Sequence, residues 1–211
     1  MGGENRRIQT GEIGRFGWCI PEGIVPAGAL VLTGGVDVQK DHFYIVIRGW
    51  EIGEESWLIR ACRVESWEEV IVILFMTNYP REKGGDPISI RLSCIDSGYR
   101  TSEVYGVCRK WRDIARPVKG QDHLAGAPYR VSIIDRHPDT GAAIPGGLAL
   151  WHIDTSHFKD KINRMVHAEP GDPAQWHLFA EPGDDYLGQF CAEQKIIIRD
   201  KKLGGQKRNG D

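Results

Sequence analysis

The sequence predicts an α/β fold built on a mixed sheet. Three strand-like stretches follow one another near the start, and helix and strand patterns alternate after them. The first stretch, Val31–Val38, is an apolar run with two glycines and a single acid, Asp37, set between Val36 and Val38. After a short break at Lys40-Asp41 comes His42–Glu51, rich in β-branched and aromatic residues with Phe43, Ile45 and Ile47 on one face. Ser56–Val64 alternates well enough for a third strand. The connections are short, so these three form an antiparallel meander.

Ser66 then opens SWEEVIVILFMTNY. A serine at the cap with Glu68 and Glu69 in the first turn starts a helix, and Val70 and Leu74 follow at helical spacing; Pro80 and Gly84-Gly85 end it. The run Ile71–Ile73 is β-branched and also fits a strand. Pro87–Asp96 alternates and gives a fourth strand, stopped by Ser97-Gly98. Thr101 or Ser102 caps a helix to about Asp113 with Val104, Tyr105, Cys108 and Trp111 on one face. Ala115–Gly120 is a short fifth strand. Gln121–Gly147 is rich in Gly and Pro and reads as an excursion with a small hairpin or strand around Tyr129–Ile134. Leu148–Asp154 is a strand, Thr155 or Ser156 caps a helix bearing Phe158, Ile162, Met165 and Val166, Trp176–Phe179 is a short strand, and Tyr186–Lys195 a helix. Once the meander is followed by a crossover helix, the strand ending at Asp96 pairs parallel to the first, and Asp37 and Asp96 fall on neighbouring central strands.

The chain has 211 residues, enough for a sizeable core. Its 27 basic and 29 acidic residues leave a net charge of -2, which gives no global sign of nucleic-acid binding but leaves room for a local basic groove. No stretch of 18 apolar residues spans a membrane, and MGGENRRIQTGEIG has no apolar core of a signal peptide. The five cysteines (Cys19, Cys62, Cys94, Cys108, Cys191) form no CxxC pair and read as reduced thiols of a cytosolic protein. His152 and His157 lack a third ligand at zinc spacing. The tryptophans read as core and sheet anchors rather than a base-stacking platform.

An acid inside an apolar strand is costly unless it is paired. Asp37 is therefore either a carboxylate capped by a nearby turn or a metal ligand projected from the central sheet. Two acids on adjacent strands raise each other's pKa, so both ionise when a cation lies between them, and hard oxygen ligands select Mg²⁺ or Mn²⁺. Two such ions roughly 3.5–4 Å apart can activate a water and stabilise a leaving oxygen in phosphodiester cleavage. Lys119 in PVKG, Lys159 and Lys161 at the start of the helix after Asp154, and Arg100 after the Asp96 turn are candidates for DNA-backbone contact.

The wording of the motifs narrows this further. LTGGVDVQKD, EESWLI, CIDSGYRTSEVYGVCR, PVKG and HIDTSHFKDKI, in that order over roughly Pro26–Glu193, resemble the large terminase subunit of tailed phages, in particular its lambda-like GpA family. The resemblance implies an RNase H-like nuclease domain that cuts concatemeric double-stranded viral DNA during packaging. It makes Asp37 the first-strand ligand and Asp96 the second. It implies the small terminase subunit and the portal as partners, no membrane, and the cytoplasm of the bacterial host as location. It makes residues 1–25 an arm or linker and 26–198 a nuclease domain; composition makes Phe16–Ile24, which mixes aromatics with Pro and Gly, an ordered arm packed on the body, and the charged, glycine-rich 199–211 a disordered tail. The family's packaging motor has no counterpart here: GVDVQKD and PVKGQD lack the GxxxxGK[ST] spacing, so there is no ATP site, and the resemblance is to an excised nuclease domain or a fragment of a split or decayed gene. The family carries its third acid in a later helix, which Asp211 in the closing RNGD does not match. Asp154 is the substitute; Asp184, Asp185 and Glu193 read as turn or helix-surface charges. Two rivals stand beside the nuclease: an inactive DNA- or portal-docking module, and another RNase H-like core of the resolvase or transposase kind.

Overall fold

A computed structural model describes residues 20–169 and 171–192. Eight strands form one sheet in the order β6-β7-β5-β4-β1-β2-β3-β8. The meander is β1 (Val31–Val38), β2 (Phe43–Trp50) and β3 (Ser56–Val64), antiparallel as expected. β4 (Ile90–Asp96) returns parallel to β1, and β5 (Ala115–Gln121) lies parallel to β4. β7 (Ala143–Asp154) is parallel to β5 and forms a hairpin with β6 (Tyr129–Arg136), while β8 (Trp176–His177) extends β3 at the far edge. This is the mixed, helix-covered arrangement of an RNase H-like fold.

The helix after the meander begins as read, with a Ser66–Glu69 capping box opening α1 (Trp67–Ile71). The β-branched run that also fitted a strand then continues as a wider π-helical turn, Val72–Met76. Its carbonyls are answered by side chains: Thr77 Oγ1 donates to Val72 O at 2.8 Å and Tyr79 Oη to Ile73 O at 3.0 Å. The turn sets Leu74 on Gly34 of β1. A Cβ on Gly34 would stand 2.7 Å from Leu74 Cδ2 and 2.9 Å from Ser93 Oγ, so only glycine permits this approach.

α2 (Thr101–Lys110) covers the same face as α1. Its cap is not the expected hydroxyl: Arg100 occupies that position in left-handed backbone (φ 49°), and Thr101 Oγ1 bonds back to Ser97 O. The core on this side joins Leu32, Val36 and Val38 of β1 to Phe43, Ile45 and Ile47 of β2 and to Val70, Leu74 and Val104 of the helices. A second cluster on the opposite face packs α3 (Thr155–Val166) and α4 (Asp184–Ala192) through Met165, Val166, Tyr186 and Leu187 against Leu58 and Trp176. Arg48 is buried there. Its Nη2 donates to Ser56 O and Oγ at 2.9 Å and to His177 O at 3.1 Å, under the Trp176 ring 3.3 Å away. Burial brings its pKa down to about 9.

The hairpin is longer than the sequence reading. Strand β7 starts at Ala143, not Leu148, because Gly146 and Gly147 take positive φ (78° and 67°) and carry the chain through a kink instead of ending the strand. β6 is an outer strand, with Val131 and Ile133 on one face 47% and 69% exposed. Other strand boundaries shift inward: β4 begins at Ile90 rather than Pro87, and β8 stops at His177. Of the arm, Ile20 is buried and Ala180 N bonds to its carbonyl at 3.0 Å, while Val25 is fully buried and bridges to Arg81. Residues 1–19 and the tail lie outside the described residues.

Gly34→Ala should cost about 1–3 kcal/mol by overpacking against Leu74 and Ser93. At Gly35, whose added Cβ meets only Val46 O at 3.9 Å, alanine should be neutral or stabilising by about 0.4–1 kcal/mol. Urea denaturation of the two variants checks both.

Candidate active site

The register between β1 and β4 places the two acids. Val36 lies beside Ile95, so the next residues, Asp37 and Asp96, stand side by side where the two parallel strands end. Alternation puts both on the face opposite the buried Val36 and Ile95. Asp37 is exposed and Asp96 half-buried.

Each carboxylate is held by a neutral donor two residues further along the chain. Gln39 Nε2 donates to Asp37 Oδ2 at 2.6 Å. The Gly98 amide donates to Asp96 Oδ2 at 3.2 Å, and a Cβ on Gly98 would stand 3.0 Å from that oxygen. The turn is fixed from below, since Ser97 N and Oγ both donate to Val118 O on β5. The Asp96 carboxyl sits above the ordinary range. Burial is the main cause and the charge of Asp37 adds to it, while the Gly98 and Ser97 amides and the Lys119 ammonium pull the other way. Asp37 and Asp96 thus form a like-charge pair with part of its water removed.

Asp154 does not join them. It faces Gln121 on β5, three residues beyond the Val118 that faces Asp96, and β5 stands between their strands. Asp154 is itself the N-cap of α3, a place the sequence reading gave to Thr155 or Ser156. Its Oδ1 accepts His157 N and its Oδ2 accepts Leu124 N, both at 2.8 Å, and it is 4% exposed. These amides, Leu124 foremost, hold its carboxyl below the ordinary range. Among the described residues no group of three or more His, Cys, Asp or Glu side chains is placed to hold a metal ion. Asp184 and Asp185 lie in the first turn of α4, and Glu193 and Asp211 are outside the described residues.

The candidate cations divide. Lys119 is exposed on β5, and its charge reaches Asp96. Arg100 is engaged: Nε and Nη2 donate to Glu103 at 2.9 and 2.6 Å, and the guanidinium lies 4.8 Å from the Phe43 ring. Its charge is thereby already balanced by Glu103. Lys159 is exposed on α3, and Lys161 pairs with Glu54. His152 is tied to Gln121 and Ser132 through its two ring nitrogens. Gln39 was visible in the motif GVDVQ but drew no role. Its reach back to Asp37 depends on the turn, which sequence spacing does not show.

Residues 9–209 match the family described as terminase large subunit gpA, endonuclease domain. The chain belongs to that family. It is 28% identical over 204 residues to the terminase large subunit of Escherichia phage lambda, covering 87% of this chain and 29% of that protein. It is 25% identical over 190 residues to the terminase large subunit of Enterobacteria phage P21, covering 83% of this chain and 28% of that protein. The chain therefore spans less than a third of the length of these curated relatives. No solved structure matches it. Among the described residues no helix is long and apolar enough to cross a membrane.

Two outcomes separate the acids of this terminase-family domain. Asp154→Ala should lower the thermal midpoint. Because its folded carboxyl is held below the ordinary 3.8, the stability Asp154 contributes is present above that pH and is lost as pH falls through the lower folded value. Asp96 is shifted the other way, so its ionised form weakens the metal-free fold as pH rises past its raised value. Asp96→Asn should therefore raise the thermal midpoint at pH 7 in chelator, measured by scanning calorimetry.

Proposed function

We propose that this domain is the endonuclease of a phage DNA-packaging terminase, hydrolysing phosphodiester bonds of double-stranded concatemeric DNA. One observation carries the reading: Asp37 and Asp96 stand together at the ends of two central parallel strands, the place where an open α/β sheet presents its chemistry. Their donor set fits a hard divalent cation. Two carboxylates, one partly desolvated beside the other, are the oxygen ligands that Mg²⁺ or Mn²⁺ takes together with water and substrate phosphate, and a cation relieves their mutual repulsion. When bound, one or two such ions supply the activation of water and the stabilisation of the leaving oxygen.

The chain's own groups do the rest. Asp37 and Asp96 act as ionised carboxylates, and Gln39 and Gly98 keep each in place with donors that cancel no charge. Lys119, whose charge reaches Asp96, would meet a backbone phosphate, with Lys159 on α3 a second contact. Such contacts are to the backbone, so binding is salt-sensitive and carries little sequence preference. Choice of cutting site then falls to partners, the small terminase subunit and the portal.

One observation favours a second reading, a docking module without chemistry: the described residues bring only two acids together. Plasmid cleavage in Mn²⁺ or Mg²⁺ decides between the two. The nuclease reading expects nicking that chelator abolishes and that Asp37→Ala and Asp96→Ala each reduce by at least about 10²-fold, with both variants folded by circular dichroism. Folded wild-type chain that binds DNA but leaves it intact in either metal would replace the nuclease with the docking module.

A further inference from the structure

We infer that Gln39 is a positioning residue for the metal ligand Asp37, an inference that rests on the nuclease reading of the two acids. Gln39 belongs to the turn between β1 and β2, and its amide nitrogen donates to His42 O at 2.9 Å, so the root of its side chain is fixed. From there Nε2 reaches back to Asp37 Oδ2 at 2.6 Å. Among the described residues none donates to Asp37 Oδ1 through a hydrogen bond. The turn's own acid does not compete for the amide, because Asp41 Oδ1 is bonded to His42 Nδ1 at 2.7 Å.

The chemistry of the donor matters as much as the distance. A lysine or arginine here would also hold the carboxylate, but it would neutralise the charge that a cation needs. An amide orients the carboxylate and leaves its full charge in place. Asp96 is held on the same plan by the Gly98 amide, which is also neutral and also two residues on. Asp37 is the more exposed of the two and is the next-to-last residue of β1. With the Gln39 bond removed, its carboxylate regains rotamer freedom that metal binding must then suppress. Hydrogen-bonded supports of ligating carboxylates are worth about 10–100-fold in metal affinity.

The test is a Mn²⁺ titration of the full 211-residue chain followed by electron paramagnetic resonance, comparing wild type, Gln39→Met and Asp37→Ala. Methionine matches glutamine in length and lacks the donor. Gln39→Met should bind Mn²⁺ about 10–100-fold more weakly, with a thermal midpoint in chelator equal to that of wild type. Its half-saturating Mn²⁺ for plasmid cleavage should rise by the same factor, and cleavage at saturating Mn²⁺ should return toward the wild-type rate. If Asp37→Ala loses Mn²⁺ while Gln39→Met keeps wild-type affinity, the positioning role is overturned and the nuclease reading stands. If Asp37→Ala binds Mn²⁺ as well as wild type does, the metal is not at Asp37 and both fall.

Discussion

The pairing of Val36 with Ile95 is the constraint on which the site depends. A parallel pair cannot be closed by a tight turn, so the chain must travel from the meander over one face of the sheet before β4 can lie beside β1. The crossover runs through α1 and the π-helical turn, and it seats only because Gly34 leaves room for Leu74. A slip of one residue in this register would send Asp37 and Asp96 to opposite faces and dismantle the acid pair. Packing under α1 and α2 thus sets the geometry of charges on the opposite face of the sheet.

The acid pair is electrostatically unfavourable in the bare protein, and the fold accommodates it locally. Asp37 keeps its contact with water, while Asp96 takes amide donors from the turn that follows it. The buried alternate positions of β1, Leu32, Gly34, Val36 and Val38, hold the strand, and Asp37 stands exposed on the other face. This division, a strand held by its buried face and spent at its end on a carboxylate, separates stability from function along a single element.

Much of this was legible in the residues. An apolar run marked β1, β-branched and aromatic residues marked β2, period-two alternation marked β3 and β4, and the serine with two following glutamates marked the start of α1. The adjacency of Asp37 and Asp96 followed from topology once the crossover was recognised. What was hidden depended on contacts between distant segments. Asp154 looked like a spare acid at a strand end because sequence does not show that Leu124 N comes back to meet it. Arg100 looked like a free cation because its clamp on Glu103 needs a left-handed residue at the helix start, a conformation arginine rarely adopts. The start of β7, Ala143 to Gly147, was hidden behind glycines that usually end strands.

The outer strand of the hairpin has a consequence for how this protein behaves in company. Among the described residues β6 is the last strand at one edge of the sheet, with no strand on its outer side, and Tyr129, Val131 and Ile133 stand exposed on alternate positions. An edge of that kind is a template for strand addition, and Arg130, Asp135 and Arg136 are the charges on the strand that oppose it. A net charge of only -2 supplies little long-range repulsion between copies. Any strand that added here would join the sheet at β6, three strands away from β4 and its acid.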